Sequence, residues 1–251
     1  MKKEYLLGSA VTLVVLSWAI FHGVTNLKAP GPADVTRLLG GSYTEHALYY
    51  DIAANYASST PLLSRVGAQA NTAAVTLMKQ FVSDTITQFK TNGNFEHLTK
   101  NDIEMINGRK QDLQIAYLIS SSEHTISYIF TIYEYTLGAH ANTTFKTFTF
   151  NTTTGALLTL ADIFTPSTHY LDTLSSISRA KLSDILGEMS DVDFLKEGTS
   201  PEDENFETFF FDNAYLTILF APYQVASYAA GPQTLRIPTS ELKDILRSEY
   251  Q

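Results

Sequence analysis

Apolar residues change their spacing several times along the chain, and each change predicts an element. Between Ala70 and Phe89 they recur at helical spacing, with Ala70, Ala74, Leu77, Met78, Phe81 and Phe89 on one face. A long helix from about Leu63 to Lys90 follows, stopped by Asn92-Gly93. Thr99 and Asp102 have the spacing of a capping box, so a short helix should open there and close at Gly108. The period then falls to two. Leu113 to Ser121 reads as a strand, and Thr125 to Leu137 as another with Ile126, Tyr128, Phe130 and Ile132 on one face. Phe145 to Phe150 is a third, and the Asn151-Thr-Thr-Thr-Gly155 turn ends this antiparallel meander. Upstream, Tyr43 to Tyr56 reads as one opening strand.

The second half repeats the theme without repeating the sequence. Thr159 and Asp162 suggest another cap. Leu171, Leu174, Leu182, Ile185, Leu186 and Met189 form the apolar stripe of a helix from about Thr168 to Met189. Ser200-Pro201 looks like an N-cap followed by a first-turn proline. Phe209 to Phe211 and Tyr215 to Phe220 read as strands about an Asp212-Asn213 turn, and Gln233 to Ile237 as a further strand. Pro238 precedes a closing helix carrying Leu242, Ile245 and Leu246. The expected fold is α+β: antiparallel sheets, each packed by a long helix, in two intimately associated subdomains, residues 43–155 and 156–251.

The first residues obey neither period. Tyr5 to Phe21 is uncharged and mostly apolar after a basic Met1-Lys2-Lys3 start. As a helix these residues would reach about 25 Å, near the lower limit for a bilayer. Residues 1–24 are therefore expected to be a membrane anchor or a signal peptide, with the bulk of the chain outside the cytoplasmic membrane. Trp18 and Ile20 make a poor cleavage region, which favours the anchor; cleavage would instead give a secreted or periplasmic protein. The Pro-Gly-Pro and Gly-Gly punctuation of residues 25–42 reads as a linker.

Composition narrows the function. A hydrophobic fraction of 44% against 17% charged is that of a folded chain. The net charge of −9 argues against nucleic-acid binding and suits a cationic partner. With no cysteine, disulfides, thiolate metal sites and cysteine nucleophiles are excluded. The histidines show no zinc-hydrolase spacing, and there is neither a nucleophile elbow nor a phosphate-binding glycine loop. No metal or cofactor is expected. Glu202, Asp203, Glu204 and Glu207 form the densest acidic group and are a candidate docking patch for a basic partner. They lie too close in sequence to imply a carboxylate pair across a cleft. Asn142 and Asn151 match the glycosylation acceptor pattern.

Three stretches carry a resemblance. They are Tyr135-Thr-Leu-Gly-Ala-His-Ala-Asn142, Phe150 to Gly155 leading into Leu158-Thr-Leu-Ala-Asp-Ile-Phe164, and Phe220-Ala-Pro-Tyr-Gln-Val-Ala-Ser-Tyr-Ala-Ala-Gly231 running on to Arg236-Ile-Pro238. Together, residues 43 to 247 resemble the paired extracytoplasmic domains of the lysozyme-sensing anti-sigma-V factor. The first of that pair also precedes the catalytic domain in some peptidoglycan deacetylases. The resemblance implies a binding module of the bacterial envelope, recognising a cell-wall glycan or a cationic wall-active protein such as lysozyme. Only Met1 to Glu4 would face the cytoplasm, so no sigma factor is expected as partner, and no catalytic domain is expected after Gln251. The candidate ligand surface is His140, Asn142, Tyr223, Gln224 and Tyr228. Two alternatives remain at this stage: a wall-polymer hydrolase or deacetylase with a dispersed site, and a structural subunit of an envelope complex.

Overall fold

The computed structural model describes residues 40–58, 67–212 and 214–251. The expected anchor or signal, nearly all of the linker, residues 63–66 of the first expected helix, and Asn213 lie outside them. Among the described residues no helix is long and apolar enough to cross a membrane.

Two sheets organise the chain. The first runs in order β1 (Gly41–His46), β2 (Tyr50–Tyr56), β3 (Gln111–Ser121), β4 (Thr125–Tyr135), β5 (Asn142–Asn151). The opening stretch is thus two strands, turned at residues 47–49 with Ala47 N–H donating to Tyr50 O. The sheet is mixed rather than antiparallel throughout, because β2 and β3 are parallel. Parallel neighbours need a crossover, and α1 (Ala68–Gly93) with α2 (Lys100–Ile106) supplies it. The meander β3-β4-β5 is antiparallel as expected.

Helix α1 buries Ala74, Met78, Val82 and Phe89. Leu77, placed on that face by its spacing, is instead 40% exposed. The helix runs past Asn92 and ends at Asn94, whose φ of 48° breaks the helical path. The capping box of α2 is present in both directions: Thr99 N–H donates to Asp102 Oδ2 at 2.7 Å, and Asp102 N–H to Thr99 Oγ1 at 3.2 Å. Under α1 the alternation of β3 and β4 puts Leu113, Ile115, Ile126, Tyr128 and Phe130 into one core, joined by Phe148 and Phe150 of β5. Burying each such side chain fully contributes roughly 1.5–3 kcal/mol.

The second sheet is β6 (Phe209–Asp212), β7 (Tyr215–Phe220), β8 (Gln233–Pro238), antiparallel throughout. Before it come α3 (Leu160–Ile163), α4 (Tyr170–Leu186), α5 (Val192–Gly198) and α6 (Asp203–Phe206). Leu174, Leu182 and Leu186 of α4 pack with Leu216, Ile218 and Ile237 in a second core. Gly187, at φ 53°, ends α4 early, and Ile185 and Met189 are each 54% exposed rather than part of the stripe. Ser200 does not cap α6. Glu202 holds that position without a side-chain bond, while Ser200 Oγ donates to Glu197 O and accepts from Asn205 Nδ2.

The expected closing helix is absent from the described residues. After β8 the chain makes two 3-10 turns, Thr239–Glu241 and Ser248–Tyr250. Between them Phe164 pairs with Leu246, Ile245 O accepts from Thr165 N–H at 2.7 Å, and Arg247 N–H donates to Ile163 O at 3.0 Å. Ile245 O and Arg247 N–H are thus spent on residues 163–165, and the helix-like bond from Leu246 N–H to Leu242 O is not continued.

The sheets meet through β6, an edge strand. Its outward carbonyls, Phe209 O and Phe211 O, accept from Thr149 Oγ1 at 3.1 Å and Ser120 Oγ at 2.8 Å on the first sheet. Ile129, Phe210 and Leu219 fill the seam. Hydroxyls thus satisfy an edge that would otherwise be an open template. They cover one end of the first sheet's outer face; at the other, more open end Asp112, Gln114, Tyr133 and Tyr135 are partly exposed among the described residues.

Candidate functional site

Two loops converge at that open end. One joins β4 to β5 and carries Leu137, at φ 66°, and His140. The other follows β7 and carries Tyr223, at φ 70°, and Tyr228. The second loop is pinned at its base. Val225 and Ala226 are buried in the second core. Gln224 Oε1 accepts from Ala221 N–H, and Gln224 Nε2 donates to Asn205 O at 3.1 Å and Gly198 O at 3.4 Å. Gly198 permits this approach, since a Cβ there would lie 1.8 Å from Gln224 O. At the far end Gln233 Nε2 donates to Ala230 O at 2.8 Å.

Held this way, Tyr228 stacks on His140 with ring centroids 3.7 Å apart and an interplanar angle of 20°. The Tyr228 hydroxyl donates to Ala141 O at 2.9 Å. His140 Nδ1 lies 3.0 Å from Ala141 O, so Nδ1 carries the proton that a carbonyl requires. In the neutral ring Nε2 then accepts from the Tyr223 hydroxyl, 3.2 Å away. Tyr223 is 52% exposed, its ring 5.5 Å from that of Tyr228. The result is an aromatic surface with its polar tips paired, open to solvent along Tyr223 and His140.

Three of the five candidate ligand residues therefore come together. Asn142 is next to them at the start of β5 and exposed. Gln224 does not belong with them, because its amide is spent on the three backbone groups that fix the loop. The acidic residues do not form one patch of free charge. Asp203 accepts from the Tyr170 hydroxyl at 2.9 Å, and Glu207 lies 3.6 Å from Lys146 Nζ, while Glu202 and Glu204 are exposed. Asn151, one of the two glycosylation matches, is engaged: its Oδ1 accepts from Thr153 and Thr154 N–H, and its Nδ2 donates to Tyr250.

Sequence reasoning missed the floor beside the rings. Leu113 and Ile115 face α1, so Asp112 and Gln114 take the open face. Register places Asp112 opposite Tyr135, Gln114 opposite Tyr133, and Tyr133 opposite Thr143. Gln114 Nε2 donates to Asp112 Oδ2 at 2.7 Å. Burial holds the Asp112 carboxyl above its ordinary pKa, and the charge of Asp51 adds to this. Tyr133 is raised as well, first by burial, then by Asp112, Tyr228 and Tyr135. Tyr133 stands on β4, between the strand that carries Asp112 and the strand that Ala141 leads into. The signal was available in the period-two pattern: a charged and an amide side chain at alternate positions, opposite two tyrosines.

Histidine–carboxylate pairs exist elsewhere, as His46–Asp51 at 2.9 Å, His169–Asp172 at 3.6 Å and His124–Glu123 at 3.9 Å. His46 and His169 are exposed and His124 is partly so, and none shares the aromatic cluster. Among the described residues no group of three or more His, Cys, Asp or Glu is arranged to hold a metal ion.

Known proteins share this architecture. A family model described as "Protein of unknown function (DUF3298)" matches residues 161–240. The peptidoglycan-N-acetylmuramic acid deacetylase PdaC of Bacillus subtilis (strain 168) is 32% identical over 197 residues, which is 78% of this chain. The match spans 40% of that protein's length. Two crystal structures share the fold. A DUF3298 family member from Bacteroides fragilis NCTC 9343 has a TM-score of 0.56 at 17% identity, over 83% of this chain and 92% of its own. One from Pseudomonas aeruginosa PAO1 has a TM-score of 0.52 at 12% identity, over 84% and 94%. Residues 161–240 of this α+β chain thus match the DUF3298 family model, and 197 of its residues are similar to part of a peptidoglycan deacetylase.

Proposed function

We propose that this chain is a non-catalytic binding module of the bacterial cell envelope that recognises wall glycan through the rings of His140, Tyr223 and Tyr228. It would be displayed outside the cytoplasmic membrane by its apolar first residues. The observation that carries the reading is the stacked ring surface, open to solvent and held by side-chain bonds from Gln224, Tyr228 and Gln233 to the loop backbones. Sugar rings present C–H faces that pack on such rings, and a pre-formed surface loses little entropy on binding. Homology to part of a protein that acts on peptidoglycan supports the same class of ligand.

Calorimetric titration of the full chain with soluble peptidoglycan fragments and with the N-acetylglucosamine hexamer tests this. Saturable binding that is lost in Tyr228→Ala, with the melting transition retained, is the expected result. Absence of binding to both ligands would overturn it.

A cationic wall-active protein such as lysozyme is the second reading, favoured by the net charge of −9. It predicts binding that weakens steeply with salt and is indifferent to Tyr228.

A further inference from the structure

We infer that Asp112, with Gln114, Tyr133 and Tyr135, forms a second subsite beside the stacked rings, and that it takes the free ammonium group of an N-unsubstituted amino sugar. This rests on the glycan reading above and narrows it to glycans that carry unacetylated amines.

Two aspartates stand side by side on neighbouring strands. Asp51 and Asp112 are partners in the parallel register of β2 and β3. Asp51 is neutralised by its surroundings, with His46 Nδ1 at 2.9 Å and Lys110 Nζ at 3.0 Å. Asp112 is the more enclosed of the two, yet among the described residues no cationic nitrogen lies within 4.0 Å of it. Among the described residues its one hydrogen bond, from the Gln114 amide, leaves most of its acceptor capacity unused. A half-buried carboxylate without a counter-charge is costly by itself and attracts a cation.

The surroundings select the kind of cation. Tyr135 and Tyr133 stand on the same face across β4, and phenol rings beside a carboxylate favour a compact ammonium over a neutral amide. Position ties this subsite to the first. Asp112 is on β3, and Ala141, gripped by Tyr228, leads directly into β5. Strands two apart are separated by about 10 Å, the reach of two linked sugar rings. Tyr133 lies between the two sites, so one oligosaccharide can touch both.

The test compares two probes on the full chain at about pH 6, where amines are protonated and carboxylates ionised. They are the glucosamine hexamer and the N-acetylglucosamine hexamer. The glucosamine hexamer should bind on the order of tenfold more tightly. Asp112→Asn should abolish that preference while leaving the acetylated hexamer's affinity unchanged, which also shows that the variant folds. Tyr228→Ala should weaken both. Glu202→Gln, which removes the same charge from an exposed position, should change neither. Equal or tighter binding of the acetylated hexamer overturns the inference, as does a preference that survives Asp112→Asn or falls equally in Glu202→Gln. In those cases Tyr228-dependent binding of the acetylated hexamer still supports the glycan reading. If neither hexamer nor peptidoglycan fragments bind, the glycan reading fails, and this subsite with it.

Discussion

The imidazole of His140 lies against the ring of Tyr228 at 3.7 Å, so a loop of the first sheet and a loop of the second hold each other in place. Two contributions are separable. Tyr228→Phe keeps the stack and removes the bond to Ala141 O, and should cost about 1 kcal/mol. A double-mutant cycle of His140→Ala and Tyr228→Ala should give a coupling of about 0.5–1.5 kcal/mol. Urea denaturation followed by circular dichroism measures both. A coupling near zero would mean that the rings meet without supporting each other.

Acid should weaken the β1–α1 contact. Glu45 accepts from Lys90 Nζ at 2.5 Å, from the Tyr43 hydroxyl, and from the Tyr50 hydroxyl at 2.6 Å. Lys90 first, then the two hydroxyls, lower its pKa from 4.5 to about 2. A depressed folded-state pKa gives stability that is fully present above the unfolded value. That stability is lost as pH falls from about 4.5 toward about 2. Because the pair is partly exposed and screened, the loss should be about 1–2 kcal/mol. Glu45→Gln should be less stable than wild type at neutral pH and should show a flatter decline over that window. Melting temperatures at stepped pH report it, and parallel curves for the two proteins would contradict the assignment.

Two threonines on the facing sheets should respond to valine with opposite signs. Thr149 Oγ1 bonds both Ser127 Oγ and Phe209 O, so Thr149→Val strands two buried groups and should cost about 1–3 kcal/mol. Thr217 is buried opposite Phe210 and its hydroxyl has no partner among the described residues. Thr217→Val removes an unpaired polar atom at nearly constant shape, and should be neutral to stabilising by about 1 kcal/mol. Chemical denaturation of the two variants decides the matter, and equal destabilisation by both would refute it.

Local chemistry was legible in the sequence where it acts over a few residues. The Thr99–Asp102 and Thr159–Asp162 boxes form as their spacing implies. The alternation from Ile126 to Ile132 faces the core, and Gly155 takes its positive φ. What failed depends on partners far along the chain. The turn at residues 47–49 lacks glycine, proline and asparagine, so one run of residues concealed two strands. Residues 245–247 have a helical apolar pattern, but α3 offers their backbone a better partner. Met189 fits a helical stripe, yet Gly187 stops the helix before it, and Ile185, still inside the helix, lies on the exposed side. At the candidate site His140, Tyr223 and Tyr228 could be singled out as motif residues. Their stacking could not, because it requires two loops on different sheets to meet. Asp112 and Tyr133 went unnoticed because alternate polar positions on a strand ordinarily mean a wet face.

Tyr223 should trade stability for binding. It holds a φ of 70°, where an L side chain costs about 1–2 kcal/mol relative to its relaxed conformation. Nothing in its immediate backbone compels a tyrosine there, since glycine adopts that conformation freely. Its side chain is half exposed and contributes one bond, to His140 Nε2. Tyr223→Gly therefore relieves strain and loses about one exposed hydrogen bond, and should leave stability unchanged or raise it by about 1 kcal/mol. The same change removes the outermost ring of the aromatic surface, so glycan affinity should fall on the order of tenfold. Thermal melting and calorimetric titration of one variant measure the two effects side by side. A glycine variant that is clearly destabilised would show that Tyr223 is held for packing, and one that binds as wild type would remove it from the surface.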